Sequence, residues 1–183
     1  TAAESSTHGV VYHALHHDGL LSNGPLCDFC TLCLRHPATA SLCRYACRQA
    51  TMQSLASGEA YYQRCWAGLF YVTVALAPGE VCEGGLSFGG FFCPWEEGDI
   101  REAVKRRLVG LPPEERARFL SRLTGIRETT PAALRGLGLF LVEATLSSGI
   151  NSDTFFKRQH EKYIQQREIA QAFEDLRSSG ETP

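Results

Sequence analysis

The order of patterns along the chain predicts an α+β fold. A short β segment comes first, then a cysteine-rich helical stretch, then an antiparallel set of strands, and finally helices to the end. Three observations carry that expectation. Residues 9–15 (GVVYHAL) are apolar and β-branched, and residues 36–57 have helical spacing between a proline and a glycine. Residues 60–93 are rich in Tyr, Phe, Val and Gly, with Pro78-Gly79 as an internal turn. At 183 residues, with 44% hydrophobic and 21% charged side chains, the chain can build one domain with a substantial core, and global disorder is excluded.

Each element has a local reason. The first strand is closed by the turn His17-Asp18-Gly19, and Asn23-Gly24-Pro25 is a second turn before the cysteines. The helix over 36–57 has Pro37 early and Gly58 as its stop, with Leu42, Ala46, Ala50 and Leu55 roughly on one face. Strands follow at 60–65, 70–76 and 84–93. The chain then turns helical over 100–109, from Pro112-Pro113-Glu114-Glu115 to Leu123, and over 131–146, which is apolar enough to be buried. A long charged helix over 153–176 carries Phe156, Tyr163, Ala170 and Phe173 as a weak seam, and a polar tail closes the chain at 178–183. The expected division is a sensor-like body over 1–150 and an output helix with its tail over 151–183.

Six of the eight cysteines fall between residues 27 and 65: C-x-x-C-x-x-C at 27, 30 and 33, C-x-x-x-C at 43 and 47, and Cys65. Such spacings let several sulfurs converge, which is what a zinc ion or an iron–sulfur cluster needs. Cys43 and Cys47 lie one helical turn apart on one face. A chain this long does not need disulfide staples, so clustered C-x-x-C thiols point to a reduced interior. The alternative is that Cys30, Cys43 and Cys65 are small buried hydrophobes, and Cys82 and Cys93, in or beside strands, read as core. His13, His16 and His17 read as polar residues at a strand end. The run 101–107 (REAVKRR) reads as a solvated helix face.

Residues 18–92 resemble the PocR sensory domain family of bacterial and archaeal signalling proteins. The resemblance rests on Phe29-Cys30, Cys43-Arg44, the run Tyr62-Gln63-Arg64-Cys65-Trp66-Ala67-Gly68-Leu69, and Gly84-Gly85 with Gly89-Gly90. It implies a cytoplasmic, PAS-like antiparallel sheet upstream of an AraC-type regulator or a histidine kinase, sensing a small hydrocarbon derivative such as a diol. The segment Gln165-Gln166-Arg167-Glu168-Ile169 is similar to the stretch leading into such an output module. The family usually has His after the third cysteine, where this chain has Trp66. If that His is a ligand, Cys47 or one of Cys27 and Cys33 takes its place; if it touches the effector, Trp66 points to a different or more apolar one.

The candidate metal ligands are Cys30, Cys43, Cys47 and Cys65, with Cys27 and Cys33 left open. A [4Fe–4S] cluster is favoured over zinc because extra cysteines crowd the site and no His stands in the matched positions. Of the sheet aromatics Tyr61, Tyr62, Phe70, Tyr71, Phe88, Phe91 and Phe92, some must be core and others can line a pocket. The candidate ligand-binding residues are Tyr62, Arg64, Trp66, Phe70 and Phe88. No phosphate loop, HExxH or GxSxG motif is present, so no enzyme is expected. A net charge of −2 and a pI near 6.3 argue against direct nucleic-acid binding, and no apolar run is long enough to span a membrane. Two functions stay open. One is a signal-input domain with a small-molecule effector, an output module and a candidate second copy of itself as partners; the other is an iron–sulfur electron-transfer protein.

Overall fold

The computed structural model describes residues 10–14, 20–23, 27–93 and 99–180. Five short runs pair into one antiparallel sheet: β1 (Val10–Ala14), β2 (Leu20–Asn23), β3 (Tyr61–Arg64), β4 (Phe70–Leu76) and β5 (Gly84–Phe91). Their lateral order is β2-β1-β5-β4-β3, so the glycine-rich β5 is the central strand, with β1 on one side and β4 on the other. This is the α+β, PAS-like class that the sequence predicts. The strand β2 was not expected from the sequence, and the turn His17-Asp18-Gly19 lies outside the described residues, as do Gly24, Pro25 and His16.

The helices are α1 (Asp28–Arg35), α2 (Pro37–Ser57), α3 (Ile100–Arg107), α4 (Pro113–Leu120), α5 (Pro131–Ser147) and α6 (Asp153–Gly180), with a 3-10 turn at Leu123–Gly125. The stop and start of α2 match the sequence signals. His36 caps it by accepting from the Ala38 amide (3.3 Å), Pro37 fills the first turn, and Gly58 ends it at φ +69°. Its buried side differs from the expected one, however. Ala50 is sealed, but Leu42 is 44% exposed, and the remaining buried positions are Thr39, Ala40, Thr51 and Ser54. Small side chains face the sheet because the helix approaches it closely.

The alternation of β4 sorts the two faces of the sheet. Val72 and Val74 pack with Leu134 and Leu141 of α5 and with Phe70, Leu86 and Phe88. On the other face Tyr71 joins Cys27, Cys30 and Cys33 of α1, while Thr73 and Ser87 share a buried hydroxyl hydrogen bond of 2.7 Å. Helices thus cover both faces. Only one stripe of α5 is buried (Leu134, Gly138, Leu141, Thr145), and Leu139 and Phe140 stand out at 72% and 64% exposed, where the apolar sequence predicts a buried helix.

The last helix is pinned before it leaves the body. Asn151, 4% exposed, accepts from the Ala77 amide (2.8 Å) and donates to the Ala75 carbonyl (2.9 Å) and to Thr145 Oγ1 (3.1 Å). Phe155 and Phe156 then pack against Ala75, Ala77 and Cys82. α6 crosses the end of α2 at Gly58, where a Cβ would lie 2.5 Å from the Phe156 carbonyl and 2.8 Å from the His160 nitrogen. Of the weak seam, Phe156 is buried and Tyr163 half-buried. Beyond Ile164 every described side chain is exposed, Ala170 and Phe173 included.

Replacing Asn151 with Ala leaves a buried N–H and a buried C=O without their partner, and each such group costs about 1–3 kcal/mol. Urea unfolding of Asn151→Ala is expected to show a loss of roughly 3 kcal/mol. An unchanged midpoint would show that the bridge contributes nothing to stability.

Candidate functional site

Cys27 is the N-cap of α1, its sulfur accepting weakly from the Cys30 amide at 3.4 Å. Helical spacing then stacks Cys30 and Cys33 on the same side, and all three are buried. The C-x-x-C-x-x-C segment is therefore a helix with a capping cysteine. Cys43 and Cys47 come from the first half of α2. Cys65 follows β3 in a tight turn: its amide donates to the Leu69 carbonyl (2.8 Å), and the Gly68 amide donates back to the Cys65 carbonyl (2.9 Å). That turn needs φ +90° at Gly68, which accounts for the glycine in C-W-A-G-L.

These pieces enclose one cavity of about 40 Å³. Cys30, Cys33, Cys43, Cys47 and Cys65 all line it, together with Gln63, Trp66, Tyr71 and an apolar remainder that includes Phe29 and Leu69. Behind Cys30, bare backbone closes the wall. Gly90 has φ +91°, and a Cβ there would lie 3.3 Å from Cys30 Sγ and 3.7 Å from Cys27 Sγ. Tyr71 Oη and Cys30 Sγ are 2.9 Å apart, and Trp66 Nε1 donates to Cys43 Sγ at 3.2 Å. Two thiol pairs also influence each other electrostatically, Cys27 with Cys30 and Cys33 with Cys43.

Within each pair one thiol is made more acidic and the other less. The Cys30 thiol holds Cys27 down to about 7 against the effect of burial, and the Cys33 thiol likewise lowers Cys43, helped by Trp66 and Arg44. Their partners move up: Cys30 through Cys27 and then burial, Cys33 through burial and then Cys43. Burial first, and then neighbouring cysteines, push Cys47 up to about 12 and Cys65 to about 11, and they raise Tyr71 as well. Buried thiols of this kind stay protonated unless a cation compensates the charge.

The donor set is all sulfur, which suits a soft metal. Among the described residues, however, no three His, Cys, Asp or Glu side chains are placed to hold one ion together. Tetrahedral zinc at about 2.3 Å needs its four sulfurs within about 3.8 Å of one another.

The structure brings the four candidate ligands Cys30, Cys43, Cys47 and Cys65 to this single cavity, and it adds Cys33. Cys27 sits behind Cys30. Of the candidate ligand-binding residues, Trp66 lines the cavity. Tyr62, Phe70 and Phe88 lie on the opposite face of the sheet: Tyr62 donates to the Arg135 carbonyl (3.3 Å) beneath Gly138 of α5, and Phe70 and Phe88 belong to the α5 core. Arg64 is exposed and pairs in register with Phe70. Cys82 and Cys93 are buried in two other clusters, as their strand context predicts. Sequence reasoning missed Tyr71 and Gly90 as site residues. Strand parity carries the signal for Tyr71, which sits opposite Gln63 and so faces away from Tyr62.

Residues 5–131 match the family described as a sensory domain found in PocR, and the chain belongs to that family. The match runs from before β1 to the first residue of α5. Membership suggests a non-enzymatic signal-input role, with a ligand and a downstream output module in general terms. No curated protein and no solved structure matches the chain. Among the described residues no helix is long and apolar enough to cross a membrane.

The buried thiols set a pH dependence. Cys47 and Cys65 ionise near 9 when unfolded but only near 12 and 11 when folded. Their contribution is therefore fully present below pH 9 and is lost as pH rises toward 11, where the unfolded chain releases protons that the folded chain keeps. In metal-free protein, stability should fall above pH 9 by up to about 1.4 kcal/mol per pH unit for each such thiol. Cys47→Ala should flatten that slope in urea titrations. An equally steep slope in the variant would mean that Cys47 is not held protonated.

Proposed function

We propose that the chain is the input half of a cytoplasmic switch whose signal is what occupies the thiol-lined cavity. The observation that carries this reading is the convergence of five cysteines on one small cavity, whose wall continues through α2 to the base of α6. Cys43 and Cys47 lie in the first half of α2. Its end at Gly58 touches Phe156 and His160 of α6, and His160 Nδ1 lies 3.3 Å from the Ser57 carbonyl. A shift of α2 over the cavity would therefore displace α6, a two-state element of the kind that a bound ligand can bias.

The occupant we favour is a metal centre on Cys30, Cys43, Cys47 and Cys65, a [4Fe–4S] cluster before zinc. When bound, a cluster would supply a redox- or oxygen-sensitive state, and zinc would supply a clamp. The protein would supply four soft donors, the Trp66 N–H at the Cys43 sulfur, and a lining that keeps water out. The apolar walls with a few polar handles, Tyr71 Oη, Trp66 Nε1 and the Gln63 amide, favour a second reading, a small hydrocarbon derivative such as a diol. Downstream, α6 would lead into an AraC-type regulator or a histidine kinase. Tyr163, Ala170 and Phe173 would offer a seam to that module or to a second copy of the chain, with the boundary between body and helix at residue 151.

Anaerobic purification followed by absorbance and elemental analysis tests the assignment. The expected result is a broad band near 400 nm that bleaches with dithionite, with about four irons per chain. Cys43→Ser or Cys65→Ser should lose the iron, while Cys82→Ser should keep it. About one zinc and a featureless spectrum would overturn the cluster in favour of a structural ion. Neither metal, together with measurable diol binding, would move the function to the small-molecule reading.

A further inference from the structure

The outer face of α5 does not have the composition of a solvated surface. Its buried stripe is Leu134, Gly138, Leu141 and Thr145, and the opposite side carries Ala132, Gly136, Leu139 and Phe140, all exposed. At 3.6 residues per turn these four form one stripe, where an exposed helix normally places charge. Arg135 and Glu143 are the only charges among the 17 residues of the helix. Both are exposed, and among the described residues neither is in an ion pair. Gly136 has no evident use within the chain. Its backbone is helical, and a Cβ there would meet nothing within 4 Å among the described residues. Glycine inside a helix is destabilising relative to alanine, and what it offers in return is room for another backbone to approach.

We infer that this face of α5 pairs with the same face of a second copy of the chain, the two helices antiparallel about a two-fold axis at Leu139. The charges select that partner. Arg135 and Glu143 stand four residues before and four residues after Leu139, so an antiparallel copy brings Arg135 of each chain level with Glu143 of the other. Two ion pairs then flank a centre built from Leu139 and Phe140 of both copies, an apolar middle with a polar rim. A parallel pair would instead set Arg135 beside Arg135. The space at Gly136 admits the second copy's Phe140. Because the two charges cancel, the face lacks the basic character of a helix that lies on anionic lipid. The family match ends at Pro131, so the pairing is a property of this chain beyond what membership supplies. It is also independent of what occupies the cavity, since α5 packs on the side of the sheet opposite the thiols. One helix face falls below the roughly 800 Å² per partner of a standard interface, so the dimer is expected to be weak, with a Kd on the order of 10 µM.

Sedimentation velocity of the full chain over a concentration series is the test. Wild type is expected to pass from monomer to dimer as concentration rises. Phe140→Asp should abolish the dimer, whereas Val81→Asp, at an apolar residue 65% exposed between β4 and β5, should dimerise as wild type does. Arg135→Glu and Glu143→Arg should each weaken the dimer about tenfold, because every pair between copies then carries like charge. An equimolar mixture of those two variants should recover it, since each copy then presents opposite charges to the other. Recovery in trans cannot come from a change in the fold of one chain. Neither reversal opposes the helix dipole, so urea midpoints measured on the monomers should match wild type. A wild type that stays monomeric throughout, a dimer that survives Phe140→Asp, or a mixture without recovery would overturn the inference. A dimer lost in Phe173→Asp but kept in Phe140→Asp would overturn it in favour of a contact through α6. A monomer that co-sediments with phosphatidylglycerol vesicles would overturn it in favour of a lipid surface.

Discussion

Five thiols can surround one small cavity only because α1 and α2 come very close to the sheet, and they do so because both surfaces are nearly bare. β5 presents Gly89 and Gly90. At Gly89 a Cβ would lie 2.6 Å from the Phe70 carbonyl, at the register shift between Phe70 and Tyr71, and at Gly90 it would crowd Cys30. α2 answers with Ala40, Ala50, Thr51 and Ser54, all buried. Small residues bury little apolar area, so this interface also uses hydrogen bonds. Ser54 Oγ donates to the Glu59 carbonyl (2.6 Å) and accepts from the Ala75 amide (2.9 Å), and Thr73 pairs with Ser87. The α5 face is the opposite case, with Val72, Val74, Leu134 and Leu141 interlocked by apolar contact. The sheet is thus a plate with one apolar side that fixes it and one thiol- and hydroxyl-lined side that leaves a cavity.

That asymmetry sets the electrostatics of the site. Sulfurs gathered without a neutralising cation compete for protons, and the competition resolves into pairs: Cys27 falls as Cys30 rises, and Cys43 falls as Cys33 rises. Such a cluster can lower its free energy in two ways, by staying protonated or by taking up a cation. Each leaves the α1–α2 layer in a different state, and a sensory function requires distinct states of this kind.

Much of this was legible in the chain. The bounds of α2 followed from Pro37 and Gly58 because caps are local chemistry, and β4 followed from its run of aromatic and β-branched residues. The convergence of Cys30, Cys43, Cys47 and Cys65 was expected from spacing and resemblance. What the sequence could not show depends on partners distant in the chain. The start of α1 carries no cap signal because a cysteine rarely caps a helix, and β2 is only four residues long, with nothing in LLSN to mark it. The choice of Tyr62, Phe70 and Phe88 as pocket residues picked one face of an alternating sheet. Period 2 puts them on the face opposite Tyr71, and which face meets the cysteines is decided only once α1 and α2 have docked.

The route from the cavity to the end of the chain is also constrained. The register of five hydrogen-bonded strands cannot slide without exchanging its faces, and Asn151 ties the start of α6 to the backbone of β4. Changes in the cavity must therefore be taken up by α1 and α2, which meet the sheet through small side chains. Roughly 22 Å of helix separates Cys43 from Gly58, at about 1.5 Å per residue. At that far end the close approach of Gly58 to the α6 backbone leaves no room to absorb a displacement by moving side chains alone. A tilt of α2 over the cavity is therefore carried directly into the backbone of α6. The helix continues from there without support from the body, and an isolated helix of that length is marginal in water. Under the proposed function, the α2 contact at its base and a partner along its exposed length would hold it, and the contact at its base is what the state of the cavity would control.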